Sequence, residues 1–222
     1  IDGTMNGSKL KGISIITLSI AAYFLLEIFV PFGGTILYPF KLLVTILHEF
    51  GHAFFTLITG GSVKEIQISP DGSGHTMTVG GIRFITLAGG YLGSAIFGNL
   101  LVYLGCVHSR ASNIVLTVLL LIMAAISTIW AASLVSVFIV LCFAVSIYFL
   151  NKLNSEFVSY ILIFSGVLSV IYIIEDFNIG PSSDLAAFAR EIPIMTATMW
   201  MYVWLAAAIG ITYINAKKLI TR

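Results

Sequence analysis

Apolar residues run through this chain in long blocks separated by short polar stretches, and the blocks have the length of membrane-crossing helices. They fall at 12–30, 38–59, 82–107, 114–131, 134–150, 157–174 and 196–214. The run 114–150 is too long for one crossing and carries no charged residue, so it is divided near Ala132 and Ser133. Gly60 and Gly61 close the second block, and Pro39 is placed in its first turn, where a missing N–H is tolerated. The one extended polar stretch, 62–79, has two β-type runs on either side of Pro70-Asp71-Gly72-Ser73-Gly74, which predicts a β-hairpin. A second polar cluster contains Ser182-Ser183-Asp184 ahead of Leu185, the pattern of a capped helix start within 181–191. The expected architecture is an all-α polytopic membrane protein: one domain, a bundle of six or seven transmembrane helices, with a hairpin after the second.

Composition supports this picture. With 59% hydrophobic and 9% charged residues the chain is unlike a soluble domain, in which about a quarter of residues are charged. A net charge of +1 offers no basic face for nucleic acid, so the partner implied by composition is the lipid bilayer. Cys106 and Cys142 lie in apolar blocks and are read as small packed hydrophobes. Residues 1–4, ahead of Met5, are open to two readings, a remnant before the native start or part of the chain itself.

The chemistry lies in the second block, at Leu47-His48-Glu49-Phe50-Gly51-His52-Ala53. Two histidines four apart rise from one helical face and can reach a single metal ion, while Glu49 lies close enough to act as the base of a zinc hydrolase. The plainer use of such groups is pairing with a neighbouring helix. Three ionisable side chains in five residues at membrane depth favour the metal, because such groups are costly there and are kept for function. A catalytic zinc takes three protein ligands and leaves a position open, so one more is needed. Asp71, His75, His108, Glu175, Asp176, Asp184 and Glu191 are the candidates.

Crossings are counted from a cytoplasmic amino terminus marked by Lys9 and Lys11. The count puts the histidines in the inner half of the bilayer, the cluster from Glu175 to Glu191 on their side, and His108 opposite. Asp184 and Asp176 both satisfy it. The same count leaves Lys217, Lys218 and Arg222 outside, against the usual charge bias; the need for ligands to meet in space takes precedence.

Two further roles are expected. A hairpin directly after the metal helix can accept an unfolded peptide as an added strand, with Ile66 and Ile68 on the accepting edge, or can serve as a plain connector. Asn99, in the apolar part of the third block, either bonds across helices or donates to a reacting carbonyl as an oxyanion contact. The stripe Gly90-x-x-x-Ser94-x-x-x-Gly98 is read as a helix-packing surface.

Taken together, the metal motif, Ser69-Pro70-Asp71-Gly72-Ser73-Gly74, Ala88-Gly89-Gly90-Tyr91-Leu92-Gly93-Ser94 and Ser182-Ser183-Asp184 resemble the site-2 protease family of intramembrane zinc metallopeptidases, and its compact M50B-like branch above all. The resemblance covers roughly 36–204. It implies Zn2+ held by His48, His52 and an Asp, placed at Asp184, with Glu49 as general base and a membrane protein cut in or near a transmembrane segment as substrate. The chain departs from better-known members in having Ser-Asp-Leu where they have Leu-Asp-Gly, and Gly89-Gly90 with Gly93 where they have Gly-Pro and an Asn. Two other functions use the same residues: a zinc hydrolase of a non-peptide bond such as a lipid amide, and a metal-binding bundle without turnover.

Overall fold

A computed structural model of the chain describes residues 7–107, 110–150, 152–153, 155–175 and 177–221. Its elements are α1 (Gly7–Phe29), α2 (Gly33–Ile58), β1 (Ser62–Ile68), β2 (Gly74–Val79), α3 (Arg83–Val107), α4 (Arg110–Ala125), a π-helical turn (Ile126–Trp130), α5 (Leu134–Leu150), α6 (Ser155–Glu175), α7 (Asp184–Glu191) and α8 (Ala197–Thr221). Among them α1, α2, α3, α6 and α8 are long and apolar enough to cross a bilayer, whereas α4 with its π turn and α5 are shorter. The protein is an integral membrane protein built as a helical bundle with one small sheet. Pro39 lies in the second turn of α2 and not the first, because the chain already reverses at Phe32, which adopts a left-handed φ of 66°, and the helix begins at Gly33.

Helix α3 holds the centre of the bundle, between α2 and α6. Lipid is as apolar as leucine, so helices gain little by hiding hydrophobic surface and gain more from close backbone approach. Glycine provides that approach: a β-carbon on Gly51 would stand 2.2 Å from the Gly89 carbonyl oxygen, and one on Gly166 would stand 2.4 Å from that of Gly98.

The hairpin is more than a connector at the surface. Its strands pair antiparallel with Ile66 opposite Thr76 and Ile68 opposite Gly74, and the pair lies along α2. The Tyr38 hydroxyl donates to the Pro70 carbonyl, and Thr45 Oγ1 donates to the Gly72 carbonyl at 2.7 Å. Non-helical backbone beside a spanning helix must be buried in protein or face water. β1 meets the first condition, with Val63, Ile66 and Ile68 in the core. β2 meets the second, its residues alternating between half-buried and exposed.

What buries β1 is the break between α4 and α5. The Ala132 N–H donates to the Ile66 carbonyl at 3.0 Å, and Ser136 Oγ accepts from the Ile68 N–H at 2.9 Å while donating to the Ile68 carbonyl at 3.1 Å. Two irregular segments thus satisfy each other's backbone groups. This corrects the expectation for Ile66 and Ile68: both side chains are 1% exposed and the outer edge of β1 is already bonded, so neither residue forms an accepting edge.

Candidate metal centre

His48 and His52 stand one turn apart on the same face of α2, their rings edge to face at 4.8 Å and their Nε2 atoms 3.1 Å apart. Helix α7 delivers the third donor. Ser183 is its N-cap, accepting from the Ala186 N–H at 3.1 Å. Asp184 therefore occupies the first helical position, and its side chain is released from capping to reach across. Its Oδ2 lies 3.1 Å from His48 Nε2 and 3.0 Å from His52 Nε2. The apolar face of α7 fixes this placement, with Leu185 fully buried and the Phe188 ring 4.8 Å from Trp200 and 4.9 Å from Trp204.

The three atoms form a nearly equilateral triangle with edges of 3.0–3.1 Å. Ligand atoms about 2.0–2.2 Å from a tetrahedral zinc are about 3.3–3.6 Å apart, so the triangle matches such an ion to within about half an ångström. Two imidazoles and a carboxylate are also a donor set of catalytic zinc, which keeps its fourth position open.

The charge state of the set is arranged from the surroundings. Burial pushes the Asp184 carboxyl up, but hydrogen bonds from His48 and His52 and their charge outweigh it and hold the group well below the usual carboxylate range, as an anion. His52 Nδ1 lies 2.7 Å from the Thr86 carbonyl oxygen, which can only accept. Nδ1 therefore carries a proton, which leaves Nε2, 3.0 Å from Asp184 Oδ2, as the nitrogen that can exchange its own proton for a metal ion. Thr86 is itself tied to α2, its hydroxyl 2.9 Å from that of Thr56. The His48 ring meets the face of Tyr91 edge-on at 4.8 Å, and Tyr91 stacks on Phe177 at 4.9 Å.

Gly90 closes the floor. A β-carbon there would be 2.4 Å from His48 Nε2 and 2.5 Å from His52 Nε2, so within the predicted packing stripe this glycine serves the histidines while Gly98 serves α6. Glu49 is 5% exposed and points to β2, its Oε2 accepting from Thr76 Oγ1 at 2.7 Å. His48, Glu49, His52 and Asp184 line one cleft of about 870 Å³ with the hairpin residues Asp71 to Thr78.

Among the described residues the other ligand candidates do not join these three donors. Asp71 and Ser73 bond within the hairpin turn, His75 is exposed and 3.9 Å from Glu65, Glu175 accepts from the Tyr23 hydroxyl, and Glu191 lies 3.6 Å from Arg83. Asp176 and His108 lie outside the described residues. Asn99 is no oxyanion contact: its Nδ2 donates to the Ala95 carbonyl at 2.9 Å and to Thr212 Oγ1 at 3.0 Å, while Asn215 Nδ2 donates to its main-chain oxygen at 2.8 Å. One of its protons is bound within α3 and the other in clamping α8 to α3, nine residues and about 14 Å of helix from Gly90. Thr76, Thr86 and the special role of Gly90 escape the sequence reading.

A helix bearing His-Glu-x-x-His, a carboxylate brought to the two imidazoles from a later helix, and a polar cleft inside an apolar bundle together describe a candidate metal centre within a membrane protein. The family comparison decides the matter, because the model of the peptidase M50B-like family matches residues 15–215. The chain belongs to that family. No curated protein and no solved structure gives a significant match. Membership of this M50 branch suggests a protease, and His48, His52 and Asp184 could hold a metal ion.

Proposed function

We propose that this M50B-like chain is an intramembrane zinc metalloprotease that hydrolyses a peptide bond in or near a transmembrane segment of a membrane protein. The observation that carries the proposal is the convergence of His48 Nε2, His52 Nε2 and Asp184 Oδ2 to 3.0–3.1 Å beside Glu49. When bound, zinc would polarise the scissile carbonyl and bring the pKa of a water toward neutrality. His48, His52 and Asp184 would hold the metal, with the Thr86 carbonyl fixing a proton on His52 Nδ1 and so leaving Nε2 as its ligand atom. Glu49 takes the proton of the attacking water and returns it to the leaving amine.

A peptide substrate is favoured over a lipid amide by the hairpin. The outer edge of β2 lines the cleft beside these residues, and unpaired strand backbone is suited to an extended peptide. The cleft also admits the water that hydrolysis consumes. Placement of the cleft in the inner half of the bilayer, as the crossings suggest, belongs to this proposal, and labelling a cysteine at position 75 from either face of sealed vesicles tests it.

The decisive experiment takes purified protein, measures zinc per chain, and follows cleavage of a transmembrane peptide beside a lipid amide. About one zinc per chain, peptide cleavage, and its loss in Glu49→Gln with zinc retained are expected. A chain without zinc, or full activity in Glu49→Gln, would refute the assignment.

A further inference from the structure

Resting on the reading of Glu49 as the base, we infer that Thr76 of β2 is the positioning residue that orients it. Side chains of β2 alternate, so Gly74, Thr76 and Thr78 turn toward the protein while His75, Met77 and Val79 turn away. The inward side forms a socket for the Glu49 side chain. Gly74 supplies the room: a β-carbon there would stand 2.8 Å from Glu49 Cγ and 2.8 Å from Oε1. Thr76 supplies the tether, its Oγ1 lying 2.7 Å from Glu49 Oε2 and 3.0 Å from the Glu49 main-chain oxygen. A hydroxyl has one proton to give, and the shorter partner is the side-chain oxygen. Rotation about the Cβ–Oγ1 bond moves that proton between two acceptors of the same residue without displacing a heavy atom.

The arrangement has a mechanical consequence. Glu49 is carried by the metal helix, but its carboxylate is held by the hairpin, which is braced behind through Ile68 and Ser136. The strand that borders the cleft and the base next to the metal are therefore one connected unit. Loss of a partner that orients an active-site group costs about 10- to 100-fold.

Thr76→Val keeps the shape and removes the hydroxyl, and Thr76→Ser keeps the hydroxyl. With a transmembrane peptide as substrate, Thr76→Val is expected to lower kcat about 10- to 100-fold. KM stays within about twofold, zinc per chain is unchanged, and Thr76→Ser recovers most of kcat. A kcat of Thr76→Val at the wild-type level, or Thr76→Ser as impaired as Thr76→Val, would overturn the role. A second measurement needs no turnover: in metal-free full-length protein, the loss of Tm caused by Thr76→Val should shrink in a Glu49→Ala background. Strictly additive losses would show that the two side chains do not interact and would defeat the inference. Glu49→Gln, assayed in parallel, separates the two levels: if it keeps full activity the base itself is misassigned, whereas an inactive Glu49→Gln beside an unaffected Thr76→Val rejects Thr76 alone.

Discussion

Gly90 and His48 are so close that a larger residue at 90 would displace the ring: the missing β-carbon would lie 2.4 Å from the imidazole Nε2. Gly90→Ala should therefore expel the metal while leaving the helix intact, since alanine is a better helix former than glycine by about 1 kcal/mol. The expected outcome is loss of stoichiometric zinc and of peptide cleavage, with the Tm of the metal-free protein equal to that of wild type or higher. Metal analysis and a thermal melt on the same preparation check both halves. A fall in metal-free Tm would point to a packing defect instead.

Asn99 separates catalysis from assembly. Asn99→Ala removes the side-chain bonds to Thr212 and Asn215 while leaving the Asn215 bond to the main-chain oxygen, a loss that in a membrane is worth about 1 kcal/mol. A lower unfolding midpoint is expected with kcat unchanged. A drop in kcat with no loss of stability would restore the oxyanion role.

Ser136→Ala tests the brace behind the hairpin. It leaves both the N–H and the carbonyl of Ile68 without their hydroxyl partner in a buried position, at a cost of about 1–3 kcal/mol. Faster hydrogen exchange at Ile68, with exchange in α3 unchanged, is the expected signature.

The hairpin turn carries a pH dependence of known sign. Side-chain and main-chain hydrogen bonds from Ser73, together with the nearby Lys41 charge, hold the Asp71 carboxyl below its ordinary value. A depressed folded pKa contributes stability that is present above the unfolded value of 3.8 and disappears as pH falls through the folded one. Protection of the Ser73 amide should accordingly fall below about pH 4. In Asp71→Ala the protection should be low at every pH. Amide exchange of the two proteins across that range decides it.

The parts of this molecule that depend on local spacing are readable in its sequence. Two histidines four apart on a helix need no tertiary knowledge to be placed on one face, and the apolar blocks mark the helices because the bilayer fixes their length. Asp184 is only half readable. Its polar surroundings and its side of the bundle can be inferred, but Asp176 meets the same conditions, and the cap at Ser183 that frees Asp184 is a matter of one residue's register. The supporting contacts carry no signal in residue type. Thr86 acts through its main-chain oxygen, Thr76 is an ordinary strand residue, and Gly90 is indistinguishable from the packing glycines around it. Ile66 and Ile68 fail as an edge for a related reason: alternation tells which face of a strand is apolar, but not which edge a distant helix break will cover.

With Ala132 and Ser136 backed against β1, the small sheet can lengthen in one direction only. Two copies of the molecule meeting in the bilayer cannot zip together through that strand, the hazard that any open sheet edge otherwise carries. The remaining edge belongs to β2, whose residues line the cleft with Glu49, so under the proposed protease function a segment that extended this sheet would lie along that cleft.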